Sequence, residues 1–436
     1  MKSLSAHPAR LRLWRALYTA LWWCALPWLA LKLAHRTRRA GLKGNGWWQR
    51  LGFVQLPQTG RARLWVHAVS VGEVQAAVPL VQALQERHPD HDLVLTTTTA
   101  TGAAQARRQL GDSVIHLHFP FDLPGAVRRF LERVQPCALL VLETELWPNL
   151  LAACRSREVP VALVNARLSA RSLARYRRLP TLAAGMLAHI DALVAQGPQD
   201  AARFASLGAP ADRSSVSGNL KFDLAIPAAV PGLGQSLRAR LGAARPVWIA
   251  ASTHTGEEAL VLAAHASLRA YLPDAVLLLV PRRPERFDEV HALCVARGFE
   301  VERRSAGLVA PCTADVFLGD SMGELLAFYA AVDVAFVGGS LVAHGGHNVL
   351  EPALLGVPVV CGPHVFNFAG ITQALAAAGG LLTVVSADDL GRAVLALLAD
   401  PPARMRQAAC AGEVVEAHRG ATARTLDALA ALLPRS

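Results

Sequence analysis

The sequence predicts an α/β protein of two doubly wound parallel-sheet domains, on three observations. Strand-length apolar runs alternate with amphipathic, helix-length stretches: "RLWVHAVS", "HDLVLTTTT", "ALLVLET", "VPVALVNA" and "IDALVAQG" are the strand candidates of the first half, with helices such as "EVQAAVPLVQALQER" between them. Such alternation points to a parallel sheet covered on both faces. The rhythm then breaks over residues 223–246, "DLAIPAAVPGLGQSLRARLGAARP", where Pro, Ala and Gly accumulate, and it restarts with "PVWIAAS", "AVLLLVP", "ADVFLGD", "VDVAFVGGS" and "VPVVCG". The halves also open alike, since "WVHAVSVGEVQAAVPLVQAL" from Trp65 resembles "WIAASTHTGEEALVLAAHASL" from Trp248 apart from one inserted residue.

At 436 residues the chain exceeds one ordinary domain. We assign residues 1–46 to a basic N-terminal anchor and connector, 47–222 to a first Rossmann-like domain, 223–246 to a linker and 247–436 to a second Rossmann-like domain. In two such domains facing each other, ligands bind at the carboxyl ends of the strands.

The net charge of +11 is an end effect: residues 1–50 hold ten Lys or Arg and no acid, whereas the remainder holds 34 bases and 33 acids. That distribution argues for an anionic membrane surface rather than nucleic acid. The same end carries "ALYTALWWCALPWLAL", Ala16 to Leu31, flanked on both sides by Arg and Lys. Sixteen uncharged residues make a helix of about 24 Å, short of the roughly 30 Å hydrocarbon core. Snorkelling by Arg15 and Lys32 narrows the gap, and Trp14, Trp22, Trp23 and Trp28 suit the interface. A single uncleaved anchor or a deeply seated interfacial helix is expected. Seven cysteines form no CxxC pair and read as reduced core residues, which argues against a structural metal.

The common fingerprints GxxxxGK[ST], HExxH, GxSxG and a full GxGxxG after a strand are absent from the sequence. Chemistry must therefore be sought in ordinary turns at strand ends. "SVGEVQAA" leaves a strand and starts a helix with Glu73, a candidate general base if burial raises its pKa, or else a first-turn acid complementing the helix dipole. In "VLETELWPNLL", Glu143 would point into the cleft, while Glu145 and Asn149 can serve as helix caps. "NARLSARS" adds arginines and hydroxyls suited to an anion, and "GNLKFD" places Lys221 between Leu220 and Phe222 at the domain edge.

In the second half, Arg282, Arg283 and Arg286 of "LVPRRPERF" form a stiff cationic loop fit for phosphate. "GDSMGEL" brings Met322, Gly323 and Glu324 to a helix start with free N–H groups. In "FVGGSLVAHGGHNVLEP", Gly338, Gly339, Gly345 and Gly346 admit a close backbone approach. Asn348 can cap the next helix, and Glu351 can bind a ribose or complete a capping box; no catalytic role falls to His344 or His347. Together these stretches describe a nucleotide site on the second domain and an acceptor site on the first.

"SVGE", "ETELWPN", "NARLSARS", "GNLKFD", "PRRPERF", "GDSMGEL" and "FVGGSLVAHGGHNVLEP", followed by "GPHVFNF", occur in that order. Jointly they resemble the lipid A 3-deoxy-D-manno-octulosonic acid (Kdo) transferases of Gram-negative bacteria. The resemblance implies an inverting glycosyltransferase of GT-B fold that moves Kdo from CMP-Kdo to lipid IVA at the cytoplasmic face of the inner membrane. It implies Glu73 as general base, with Glu143 and Lys221 stabilising the transition state. CMP would be bound by Pro281 and Arg282, by Met322, Gly323 and Glu324, and by Asn348, Val349, Leu350 and Glu351, with no metal or cofactor. Val349 fills a variable slot of "GGHNxLE", and Pro352 follows the motif. Two other readings are another GT-B nucleotide-sugar enzyme, a UDP-dependent transferase or epimerase, and a membrane-tethered binding protein for anionic lipid.

Overall fold

The computed structural model describes residues 8–39, 46–307 and 312–434. The chain divides into two compact units, residues 1–224 with 419–436, and residues 225–418.

The first unit is built on seven strands: β1 (Arg63–His67), β2 (Asp92–Thr97), β3 (Ile115–His118), β4 (Pro136–Leu142), β5 (Val161–Ala166), β6 (Ala192–Ala195) and β7 (Ser214–Val216). All pairings are parallel, in the order β3-β2-β1-β4-β5-β6-β7. The chain winds outward from β1 and then crosses back to β4, so the order reverses between these two strands. Alternate residues of each strand feed opposite cores. Trp65, Leu139, Val141 and Leu163 pack with Phe130 on one face, whereas Leu64, Val66, Leu140 and Val164 pack with Leu80 and Leu84 on the other. Burial on both faces explains why these strands read as continuous apolar runs. Each fully buried Leu contributes roughly 1.5–3 kcal/mol, and a cavity at Leu140 would cost about 2–5 kcal/mol.

The second unit repeats the plan with β8 (Val247–Thr253), β9 (Val276–Pro281), β10 (Val301–Arg303), β11 (Val316–Leu318), β12 (Val334–Val337), β13 (Val359–Cys361) and β14 (Leu381–Thr383). Its order is β10-β11-β9-β8-β12-β13-β14, again parallel, with the reversal between β8 and β12. Trp65 and Trp248, which open the two matched sequence stretches, occupy the central first strand of each sheet, and both are fully buried.

Two expected boundaries need correction. Residues 223–246 are not a linker between the units, because Val230–Leu241 is a helix of the second unit whose Leu237 and Leu241 enter the core with Ile249 and Phe328. Pro231 lies in its first turn, where a missing N–H costs nothing, and Gly234 is a contact point: a Cβ there would meet the Ala330 Cβ at 2.5 Å. The second unit also does not run to residue 436. The helix Ala421–Leu429 buries Ala421, Leu426 and Leu429 beside Leu80 and Leu84 of the first unit. Asp223 fastens its start by accepting N–H bonds from Gly420 and Thr422 at 2.8 and 2.5 Å.

The N-terminal helix spans Pro8–Arg39; residues 1–7 and 40–45 of the expected anchor and connector lie outside the described residues. Among the described residues no helix is long and apolar enough to cross a membrane. One face of the helix docks on the first unit. Trp22 packs against Phe121 and Trp147 at centroid distances of 5.8 and 6.4 Å, and Thr19 receives a 3.0 Å bond from the Asn149 amide. Leu13, Leu17, Leu21 and Trp28 remain exposed.

Candidate active site

In the first unit, polar residues gather where the strand order reverses. After β1 the chain turns into the helix Val71–Arg87, and Glu73 falls in its first turn. Its carboxylate accepts the Val69 N–H at 2.9 Å and the Ser70 hydroxyl at 3.0 Å. The residue is only 8% exposed, so the reading of an exposed acid complementing the helix dipole does not hold. Burial pushes its pKa up to about 8, the charges of Glu143 and Glu145 add to the rise, and the Val69 and Ser70 bonds oppose it.

Glu143 follows β4 directly in a left-handed conformation (φ 57°), a backbone state that non-glycine residues adopt at a cost. Its carboxylate lies 3.6 Å from the Lys221 ammonium. Lys221, 7% exposed, sits in the short turn Leu220–Asp223. Asn165, fully buried at φ 49°, holds that turn by accepting the Leu220 N–H at 3.1 Å. The structure therefore brings Glu73, Glu143 and Lys221 together. Glu145 is driven up to about 7 by burial and by Glu143.

Asn149 does not cap the helix Pro148–Ser156. Asp122 does, accepting the N–H groups of Asn149 and Leu150 at 3.0 and 2.8 Å, while the Asn149 side chain bonds the Asp122 carbonyl and Thr19. Burial raises the Asp122 pKa to about 6 against those two amide bonds. No signal in the sequence tied residue 122 to residue 149.

In the second unit the nucleotide-site candidates lie at neighbouring strand ends. Pro281 closes β9, and the Arg282 N–H bonds the Thr253 carbonyl at 3.0 Å, tying the ends of β8 and β9. Arg286 is not available to a phosphate, because Glu258 and Glu289 bind its guanidinium at 2.5 and 2.8 Å. Arg283 of the same loop lies 4.0 Å from the Glu285 carboxylate. Beyond β11, Met322 is exposed and Gly323 is left-handed (φ 91°). Glu324 is held by Arg304 at 2.8 Å and by the Ser321 hydroxyl.

Beyond β12, the Asn348 side chain accepts the Leu350 N–H at 3.1 Å and donates to Glu351 at 3.3 Å. Val349 and Leu350 are buried, backbone included. His344 and His347 form a cluster with His254, which stacks on His344 at 4.1 Å and lies 2.9 Å, Nε2 to Nε2, from His347. Sequence reasoning passed over His254 and Glu257. A signal existed for the second, because the matched openings align Glu257 with Glu73.

Two doubly wound parallel-sheet units with polar residues at both reversal points place the chain in the GT-B fold class. The crystal structure of UDP-GlcNAc 2-epimerase from Neisseria meningitidis bound to UDP-GlcNAc covers 85% of this chain and 100% of its own at a TM-score of 0.58; at 15% identity the likeness is one of fold.

The family described as 3-Deoxy-D-manno-octulosonic-acid transferase (kdotransferase) matches residues 45–224. The 3-deoxy-D-manno-octulosonic acid transferase of Haemophilus influenzae is 44% identical over 86% of this chain and 88% of its own. That of Bordetella pertussis is 42% identical over 95% and 98%. The chain belongs to this family and is a Kdo glycosyltransferase, which decides for transfer over epimerisation.

Proposed function

We propose that the protein transfers Kdo from CMP-Kdo to lipid IVA, with inversion at the anomeric carbon, at the cytoplasmic face of a bacterial inner membrane during lipopolysaccharide synthesis. The observation that carries this reading is the buried Glu73 carboxylate, oriented by Val69 and Ser70 and with its pKa lifted to about 8 beside Glu143. A carboxylate tuned upward in this way is matched to proton transfer near the working pH.

Glu73 takes the proton of a primary sugar hydroxyl on the acceptor as that oxygen attacks the anomeric carbon of Kdo. The bond from that carbon to the phosphate oxygen breaks, and CMP departs with the electron pair. Positive charge on the reacting sugar is met by Glu143, which Lys221 balances. In the second unit, Arg282 offsets the single phosphate of CMP, so the reading invokes no divalent metal or cofactor. Pro281, Met322, Gly323, Glu324, Asn348, Val349, Leu350 and Glu351 complete the CMP site. The division of labour assigns the acceptor to the first unit and the donor to the second.

The basic first 50 residues and the exposed Leu13, Leu17, Leu21 and Trp28 support a helix lying in an anionic membrane surface, where lipid IVA is found. The test is mass spectrometry of lipid IVA after incubation with CMP-Kdo and purified protein, beside Glu73→Gln. A product heavier by one or more Kdo units, lost in the variant, is expected. Absence of product from folded wild-type protein overturns the reading.

A further inference from the structure

Glu73 and Glu257 are counterparts, each in the first turn of the helix that follows the central first strand of its sheet. Each accepts an N–H from the loop just before it, Val69 in one case and His254 in the other, at 2.9 and 3.2 Å. Beyond that the two diverge. Glu257, 0% exposed, also accepts the N–H groups of Gly339, Ser340 and Leu341 at 2.7, 3.0 and 2.9 Å. An ionised carboxylate offers about four acceptor positions, so four amides saturate it and leave nothing for a substrate proton. Burial pushes its pKa up, and the amide bonds oppose the rise.

The three extra amides belong to the turn that leaves β12 and leads into His344–Glu351. Gly338 has to be glycine for this approach, since a Cβ there would lie 2.8 Å from the Glu257 Oε2 and 2.9 Å from the Ala251 carbonyl. The fastening continues through Ser340. Its hydroxyl donates to the Val337 carbonyl at 2.6 Å and accepts the Gly362 N–H at 2.8 Å, and its carbonyl accepts the His364 N–H at 2.9 Å. Gly346 returns an N–H to the Gly339 carbonyl at 2.8 Å. One buried carboxylate thus ties the ends of β8, β12 and β13, and it seats the backbone of His254, whose ring meets His347.

We propose that Glu257 is the positioning residue of the donor half: it fixes the 339–341 turn, and through it the backbone of residues 344–351, without touching the donor. This rests on the reading that the second unit binds CMP-Kdo. The duplicated first-turn acid then has two fates, proton transfer in the first unit and fastening in the second.

The experiment uses the full-length protein and Glu257→Gln, whose amide nitrogen would confront N–H donors. Three readouts are taken: amide hydrogen exchange, CMP titration, and KM for CMP-Kdo and for lipid acceptor separately. Loss of charge-assisted bonds is expected to speed exchange over residues 338–348 and to raise the CMP Kd and donor KM about tenfold or more, with acceptor KM and exchange in the first unit unchanged. Wild-type exchange and CMP affinity in the variant overturn the proposal, and so does an equal rise of both KM values with exchange raised throughout, which marks a merely structural residue. Ser340→Ala keeps the carboxylate but cuts the link to β13, and a smaller rise confined to donor KM is expected; no rise in donor KM overturns the relay. If wild-type protein fails to bind CMP, the donor reading falls, whereas the exchange pattern still decides whether Glu257 holds the turn.

Discussion

The Glu143 carboxylate lies 3.6 Å from the Lys221 ammonium, yet it also raises the pKa of Glu73. One acid therefore holds the cation in place and adds to the burial that keeps Glu73 protonated into the neutral range.

The pH dependence follows from that arrangement. In the proposed role of base Glu73 acts only after losing its proton, so kcat/KM is expected to rise with pH through about 8. Glu143→Gln removes a charge that opposes Glu73 ionisation, and the rising limb should move to lower pH even as the maximal rate falls. Rate profiles of the two proteins check this; an unmoved limb would show that the Glu143 charge does not contribute to the Glu73 pKa.

Glu73→Gln should lower turnover by about 10²-fold or more while sparing CMP affinity. The same substitution should stabilise the protein at high pH. The folded-state pKa of about 8 exceeds the ordinary 4.5, so between these values the folded chain keeps a proton that the unfolded chain has released. Stability from this group is therefore full at low pH and declines as pH rises towards 8. Thermal melts at pH 9 should favour the variant, by on the order of 1 kcal/mol, and the advantage should vanish near pH 4.

The two faces of the N-terminal helix should separate cleanly. Trp22→Ala removes packing against Phe121 and Trp147 and should destabilise the first unit by about 2 kcal/mol without weakening adsorption to anionic vesicles. Leu17→Ser with Leu21→Ser alters exposed positions, Leu21 being 70% exposed, and should weaken vesicle binding while leaving the melting temperature unchanged. Vesicle sedimentation and melting curves on the same proteins read both effects.

Asp223→Ala leaves the Gly420 and Thr422 amides without their acceptor and should cost about 1–3 kcal/mol. Proteolysis should then open the Ala421–Leu429 helix and the first unit, while residues 225–418 keep wild-type protection.

Much of this was legible in the sequence because periodicity reports burial. The apolar runs marked the central strands, and the matched Trp65 and Trp248 openings foretold the repeated sheet plan. Glu73, Glu143 and Lys221 could be named because each sits within a residue or two of a recognisable turn. What escaped depends on partners distant in sequence. Val230–Leu241 was mistaken for a linker because the packing of Gly234 on Ala330 is invisible in composition. Arg286 looked free for phosphate because its partner Glu258 stands 28 residues away. Asp122 capping a helix 27 residues later, and Glu257 gathering amides more than 80 residues on, belong to the same class.

The return of the last residues to the first unit has a consequence for synthesis. A ribosome delivers residues 1–224 long before 419–436, so the core around Leu80, Leu84 and Leu140 waits, with one side uncovered, for the final helix to emerge. Residues 225–418 form an unbroken stretch and can close first. Glu73 therefore belongs to a unit that is begun before residues 225–418 and completed only after them, and a stop codon placed even shortly before residue 419 would damage the half it does not appear to touch.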